Sequence, residues 1–375
     1  MLTAPTAPPD PASRAHMAAA SVEAIFGGRS LGLPGTRLAA VAFPHPVGLR
    51  GHWHYWWQAH YLDCLIDQYE RLAESDPGEA AGALRRASRL ARGIWVRNGL
   101  RWTNSYYDDM AWLALALQRL AAASASAGRR RRGTGVATLE DALRSAHTAE
   151  LGGGVFWNTT RDYKNTATTA PAALYFARSG EPARSADLMT WLRENLRDGD
   201  TGLYFDGVRL GTGPEPSHNE VVRTIHTYNQ GTVLGALVTQ VGPESLAEAA
   251  HLVGAIASEL ANAEGVLKVD SGGDSGLFTG ILARYLALAA RTPGLPEDAA
   301  RTAVGLLHAT ADALWTRRSP GSVPDSLVFP PGSNGQGSKP VSLSTQLQAW
   351  MVFEAAARVQ TAGPAGTANN NDTGM

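Results

Sequence analysis

Two adjacent aspartates, Asp108 and Asp109, stand in the stretch NSYYDDMAWLALALQRL, where an aromatic, turn-like segment gives way to an apolar-periodic helix. Carboxylates a few ångströms apart oppose each other's ionisation, so one tends to keep its charge while the other holds a proton. Glycoside hydrolysis uses such a split, with the charged partner as nucleophile and the protonated one as acid. Adjacent α-carbons lie about 3.8 Å apart, and a helix start turns successive side chains by about 100°. The two carboxyls therefore reach a separation of about 5 Å, the retaining geometry, more easily than the wider inverting gap. A helix N-terminus would also help keep Asp108 ionised. The same dipeptide fits a plainer reading, an aspartate N-cap with an acidic first turn.

Helical periodicity recurs along the chain with short breaks, and strand patterns are almost absent. The pattern predicts helices over about 14–27, 52–74, 79–97, 107–124, 138–150, 163–179, 181–195, 224–241, 244–260, 274–290, 297–317 and 342–359. Pro and Gly mark most of the boundaries. One short hairpin is expected at GLYFDGVRLG, with Asp206-Gly207 as a type I′ turn between Leu203–Phe205 and Val208–Leu210. Even-numbered segments such as WWQAHYLDCLIDQY and GLFTGILARYLALAA are apolar on more than one face, whereas odd ones such as PGEAAGALRRASRLARGIW carry a broad charged face. A helix apolar all round belongs inside and one with a polar stripe outside. Six inner helices alternating with six outer ones describe an all-α (α/α)6 barrel, a single domain over 14–360, with disordered segments expected at 1–13 and 361–375. The loops before the even helices (HWHYWW, TNSYYDD, WNTTRDYKN, HTYNQG, DSGGDSG and KPVSLSTQ) would open on one end of that barrel. Converging aromatics, amides and carboxylates there suit a carbohydrate.

The bulk composition excludes several other classes. With 375 residues, 44% of them hydrophobic, the chain can bury a large core, and its net charge of −1 lacks the basic excess of a nucleic-acid binder. Cys64 is the only cysteine, which excludes an intrachain disulfide and a thiolate metal cluster. The N-terminus shows no basic stretch followed by a long apolar run, and no segment approaches the roughly 20 apolar residues of a membrane span. A cytoplasmic monomer without cofactor or metal is the expectation.

Five ordered motifs then carry a resemblance: YWWQAHYLDCLIDQY, YYDDMAWLALAL, GGGVFWNTTRDYKN, TYNQGTVLGAL and GLFTGILARYL. Over roughly Trp53 to Arg358 the chain resembles glycoside hydrolase family 76, the bacterial and fungal endo-α-1,6-mannanases. The resemblance implies an (α/α)6 barrel, an α-mannan or manno-oligosaccharide substrate, and a retaining mechanism with Asp108 as nucleophile and Asp109 as acid/base. The chain departs from that pattern at Thr279, where many relatives carry Lys, and many relatives are secreted while the N-terminus here shows no signal pattern, so a cytoplasmic place is expected.

Around this pair, Trp57, Tyr106 and Tyr107 are candidate sugar platforms, although a Tyr pair before a helix also fits a hydrophobic staple. Lys164, Asn165, Tyr228, Asn229 and Gln230 are candidate hydroxyl binders, with helix capping and loop hydrogen bonding as the competing role. Asn158 and Phe278 complete the candidate set. His52, His54 and His60 lack the carboxylate and histidine spacing of a metal site. Histidines matter to one alternative, a sugar epimerase on the same toroid, which would use His54, His60 or His226. A different glycosidase or a non-catalytic mannan-binding protein are the others. Arg129–Arg132 reads as a solvated loop.

Overall fold

The structure, a computed structural model, describes residues 8–45, 52–128, 134–211, 219–240, 242–269, 272–329 and 340–360. Twelve α-helices account for most of them. They are α1 (Pro11–Phe26), α2 (Tyr55–Leu72), α3 (Pro77–Arg97), α4 (Tyr107–Ser126), α5 (Thr134–Ala146), α6 (Thr166–Arg178), α7 (Pro182–Leu196), α8 (Thr227–Gln240), α9 (Pro243–Glu259), α10 (Phe278–Ala290), α11 (Glu297–Thr316) and α12 (Leu343–Gln360). The even helices pack each against the next, α2 on α4, α6, α8, α10 and α12, and α12 returns to α2 to close the ring. Each odd helix lies outside, against the inner helix that follows or precedes it. This is the single-domain (α/α)6 barrel expected from the alternation of apolar and charged faces.

Local sequence explains both the starts and the packing. Outer helices α1, α3, α7 and α9 open with proline in their first turn, where its missing N–H and fixed φ cost nothing. The first starts at Pro11, inside the segment expected to be disordered, because Asp10 caps it by accepting from the Ser13 N–H at 3.0 Å. Residues 1–7 and 361–375, and the Arg129–Arg132 run, lie outside the described residues. Inside the ring the helices approach closely. A side chain at Gly280 of α10 would meet the α12 backbone at Gln348, 2.8 Å from its Cα. Trp350, Tyr61 and Tyr175 are fully buried in the wall.

One end of the ring is filled by ion pairs between side chains. Asp67 of α2 accepts hydrogen bonds from Arg119 of α4 at 2.7 Å, Arg284 of α10 at 2.8 Å and Arg358 of α12 at 3.1 Å. Asp63 pairs with Arg119 at 2.9 Å, and Glu354 with Arg71 at 2.7 Å. Burial opposes the charge on Asp67, yet Arg119, Arg284 and Arg358 together hold its carboxyl well below the usual carboxylate range. Four inner helices are tied together at this floor.

The opposite end carries a small antiparallel sheet where a lone hairpin was expected. Strands β1 (Tyr163–Asn165), β2 (Phe205–Arg209) and β3 (Glu220–Ile225) lie in the order β1-β2-β3. Asp206-Gly207 is therefore not a turn but the middle of the central strand. The dipeptide signature misleads because β2 pairs with β1, some forty residues away, rather than with itself. Gly207 is needed for contact instead: a Cβ there would lie 2.5 Å from the Lys164 carbonyl oxygen. None of the described helices is long and apolar enough to cross a membrane.

Candidate active site

Asp108 and Asp109 occupy the first turn of α4, an inner helix, at the sheet-bearing end of the barrel. Neither is the N-cap: that position is Tyr106, whose side chain makes no capping bond. The opening N–H of Tyr107 instead donates to the Trp157 carbonyl at 2.7 Å. Asp108 Oδ1 accepts from the Asp109 N–H at 2.8 Å, and its Oδ2 from the Trp157 indole N–H at 2.9 Å. Asp109 has one donor, the Asn104 side-chain amide, at 2.6 Å.

That inequality splits the pair. Burial pushes the Asp108 carboxyl up to about 7, against the lowering pull of the Asp109 N–H and of Trp157. Burial also raises Asp109 well above the carboxylate range, and the charge of Asp108 raises it further. Two donors against one favour the charge on Asp108 and the proton on Asp109.

Around the pair lies a cleft of about 300 Å³ whose lining comes from five of the six loop-and-helix starts, from α2 to α10. Aromatic walls are supplied by Trp56, Trp112, Trp157, Tyr163, Tyr228 and Phe278. Tyr228 and Phe278 have ring centroids 4.1 Å apart. Two more carboxylates face in. Asp206 of β2 accepts from the Tyr163 hydroxyl at 2.6 Å and the Asn229 amide at 3.2 Å, with His226 Nε2 at 3.8 Å. Asp274 accepts from the indoles of Trp57 at 2.8 Å and Trp56 at 3.2 Å. Acids flanked by ring faces, with Arg209 on the rim 4.8 Å from the Tyr163 ring, can bind hydroxyls and stack on C–H surfaces. Among the described residues no group of His, Cys, Asp and Glu is placed to hold a metal.

The sequence candidates divide. Tyr228, Phe278 and Asn165 line the cleft, and Asn165 also caps α6 through the Thr168 N–H at 3.1 Å. Asn229 is buried and reaches the cleft through Asp206. Trp57 is not a platform: it is buried, and His54 stacks on its ring at 4.0 Å, so its neighbour Trp56 faces the cleft. Tyr107 is buried in the helix wall, and Tyr106 stands exposed at the rim against Trp157, 5.3 Å between centroids. Asn158 folds its own loop, accepting from the Thr160 N–H at 3.0 Å.

Lys164 and Gln230 also turn away from the cleft. The Lys164 ammonium donates to the carbonyls of Thr148, Glu150 and Gly153 at 3.0, 2.6 and 2.6 Å, and burial lowers it to about 8. Gln230 pins the Tyr204 backbone at 2.8 and 2.9 Å. In both cases backbone partners, invisible to side-chain patterns, claim the polar head. His60 lies beneath the cleft, fully buried against Trp112 at 4.9 Å. Sequence reasoning missed Trp56, Trp112, Trp157, Tyr163, Asp206, Arg209 and Asp274 as lining residues. Trp157 and Tyr163 lay inside a motif already singled out, whereas Asp206 was hidden by its turn signature.

Comparison with known proteins gives a consistent family. The model of glycosyl hydrolase family 76 matches residues 17–368. The structure is similar to that of an α-1,6-mannanase from Salegentibacter sp. HEL1_6, 28% identical, with 93% of this chain and 99% of that chain covered and a TM-score of 0.78. An inactive variant of that enzyme, with two consecutive aspartates replaced by asparagine, is in complex with α-1,6-mannotriose and matches over the same shares at 27% identity and a TM-score of 0.78. A family 76 mannosidase from Bacteroides thetaiotaomicron shares the fold at 17% identity, covering 94% of this chain and 99% of that one with a TM-score of 0.74. No curated protein matches the chain.

Proposed function

Because the chain belongs to glycosyl hydrolase family 76, and is therefore a glycoside hydrolase, we propose that it cleaves α-1,6-mannosidic linkages with retention of configuration. Asp108 is the nucleophile and Asp109 the acid/base. The observation that carries this reading is the unequal hydrogen bonding of the pair, two donors on Asp108 against one on Asp109. Asp108 is thus the better anion and Asp109 the better acid. The Salegentibacter enzyme, inactive when two consecutive aspartates are replaced and bound to α-1,6-mannotriose in that form, supports both the pair and the linkage.

In the first step an Asp108 oxygen attacks the anomeric carbon, the glycosidic C–O bond breaks, and the Asp109 proton passes to the departing oxygen. Trp157 holds Asp108 in place through the indole N–H, and the α4 N-terminus favours its charge. In the second step Asp109, now a carboxylate, takes a proton from water as that water attacks the glycosyl-enzyme and releases Asp108. Trp56, Tyr228 and Phe278 line the cleft and offer ring faces to the sugar chain.

The decisive experiment is incubation with linear α-1,6-mannan and with α-1,2- and α-1,3-linked oligomers, reading early product by NMR. An α product from the 1,6-linked substrate alone is expected, and inverted product would overturn the mechanism. Asp109→Ala should spare turnover of an aryl mannoside with a good leaving group, and azide should raise its rate.

A further inference from the structure

The barrel end that holds the cleft carries a second concavity, and it lies on the same face for a topological reason. Outer helices end where inner helices begin, so the C-terminal ends of α1 and α3 stand beside the N-terminal end of α2. A groove of about 320 Å³ forms among them, lined by Arg29, Leu31, His45, His52, Trp53 and Arg97 among others. Its size matches that of the catalytic cleft. Arg29, Leu31, His45 and His52 are exposed, and Trp53 is half-buried.

An aromatic stack runs from the groove to the buried Trp57, and a shared carboxylate links Trp57 to the cleft. The His52 ring lies 5.2 Å from His54 at 26°, and His54 lies 4.0 Å from Trp57 at 10°. Trp57 shares the Asp274 carboxylate with Trp56, which lines the cleft. His54, the hinge of this stack, holds a left-handed φ of 43° although it is not glycine. Such backbone strain persists where surrounding structure over-determines it, and it gathers at functional sites. Leu31, on the groove wall, holds another at φ 50°.

From this geometry we propose that the groove is a distal glycan-binding site, taking a stretch of the same neutral polysaccharide chain remote from the scissile bond. The proposal rests on the mannanase reading of the cleft. The Trp53 indole, with the Arg97 guanidinium over the ring 5.8 Å from its centroid and imidazoles nearby, provides a ring surface for a pyranose C–H face and donors for hydroxyls. Binding a remote part of the chain supplies affinity that the reacting centre need not provide. Long chains would reach both places and short ones only the cleft.

The test compares kcat/KM on linear α-1,6-mannan with that on α-1,6-mannotriose for the wild type, Trp53→Ala and the exposed-site variant His52→Ala. Trp53→Ala should raise KM for the polymer about tenfold, as expected for loss of a central aromatic contact, and leave mannotriose unchanged. His52→Ala should show a smaller shift of the same kind, and its exposure keeps the test alive if Trp53→Ala folds poorly. Equal losses on both substrates, or no loss on the polymer in either variant, would overturn the proposal. If the wild type cleaves neither substrate the mannanase reading fails, and the groove is then judged by electrophoresis in mannan-containing gels. There the wild type should be retarded more than Trp53→Ala, and equal mobility would sink the groove as well.

Discussion

The two ends of the inner ring contain the same side chain in opposite states. At the floor, Asp67 is buried among Arg119, Arg284 and Arg358 and is held as a carboxylate well below its usual range. At the mouth, Asp108 and Asp109 are half-buried with neutral donors only, and desolvation pushes both upward. Burial acts in the same direction on all three. What differs is the partner: a guanidinium restores the charge that desolvation removes, while an indole or amide restores only part of it. One end of the barrel uses ionic groups to fix helices, and the other keeps its acids poised to exchange protons.

Swapping each acid for a neutral group should break this contrast most visibly. Asp108→Asn should lower turnover of every mannoside by about 10⁴-fold or more, the scale seen when a covalent nucleophile is lost, with fold unchanged by circular dichroism. Activity near wild type in that variant would remove the site. Asp67→Ala should instead cost about 3–5 kcal/mol of stability, because Arg284 and Arg119 are left buried without their central partner. Chemical denaturation measures this, and kcat per folded molecule should stay at the wild-type level.

Acidity sharpens the contrast. Asp108 is raised from 3.8 to about 7, so its protonated form favours the folded state, and that contribution is lost as pH rises through about 7. Asp67 is depressed, so its contribution is present above 3.8 and lost as pH falls below it. Asp108→Asn should therefore raise Tm relative to wild type at about pH 8 and by much less at about pH 4. A Tm gain independent of pH would contradict the raised carboxyl. The smallest effect belongs to Asp274, whose charge adds to the rise on both acids of the pair. Asp274→Asn should move the acid limb of kcat/KM downward by a fraction of a unit, and a limb that stays or moves up would deny it any electrostatic reach.

The same division governs what could be read from the chain. The alternation of helices was legible because burial leaves a periodic mark: WWQAHYLDCLIDQY has no polar stripe, and PGEAAGALRRASRLARGIW has a wide one. The aspartate pair was legible as a local pattern at a helix start. Facing was not. Trp56 and Trp57 are neighbours turned about 100° apart on a helix, and only tertiary packing decides which one meets the cleft. Asp206 depended on strand partners distant in sequence, and Lys164 on three carbonyls that no side-chain pattern records. Loop geometry fixed by backbone acceptors is the part that a motif does not carry.

The closing contact of the ring also sets an order of events in time. α2 is held by α12 through Arg71 with Glu354 and Asp67 with Arg358, partners that lie 283 and 291 residues apart. A chain emerging from the ribosome makes α2 well before α12. One flank of α2, including the acid end of the Asp67–Arg358 pair, must therefore wait uncovered until α12 has been made. The toroid completes its last seam only when residues 343–360 are released, so chaperone contact during translation should concentrate on that open flank.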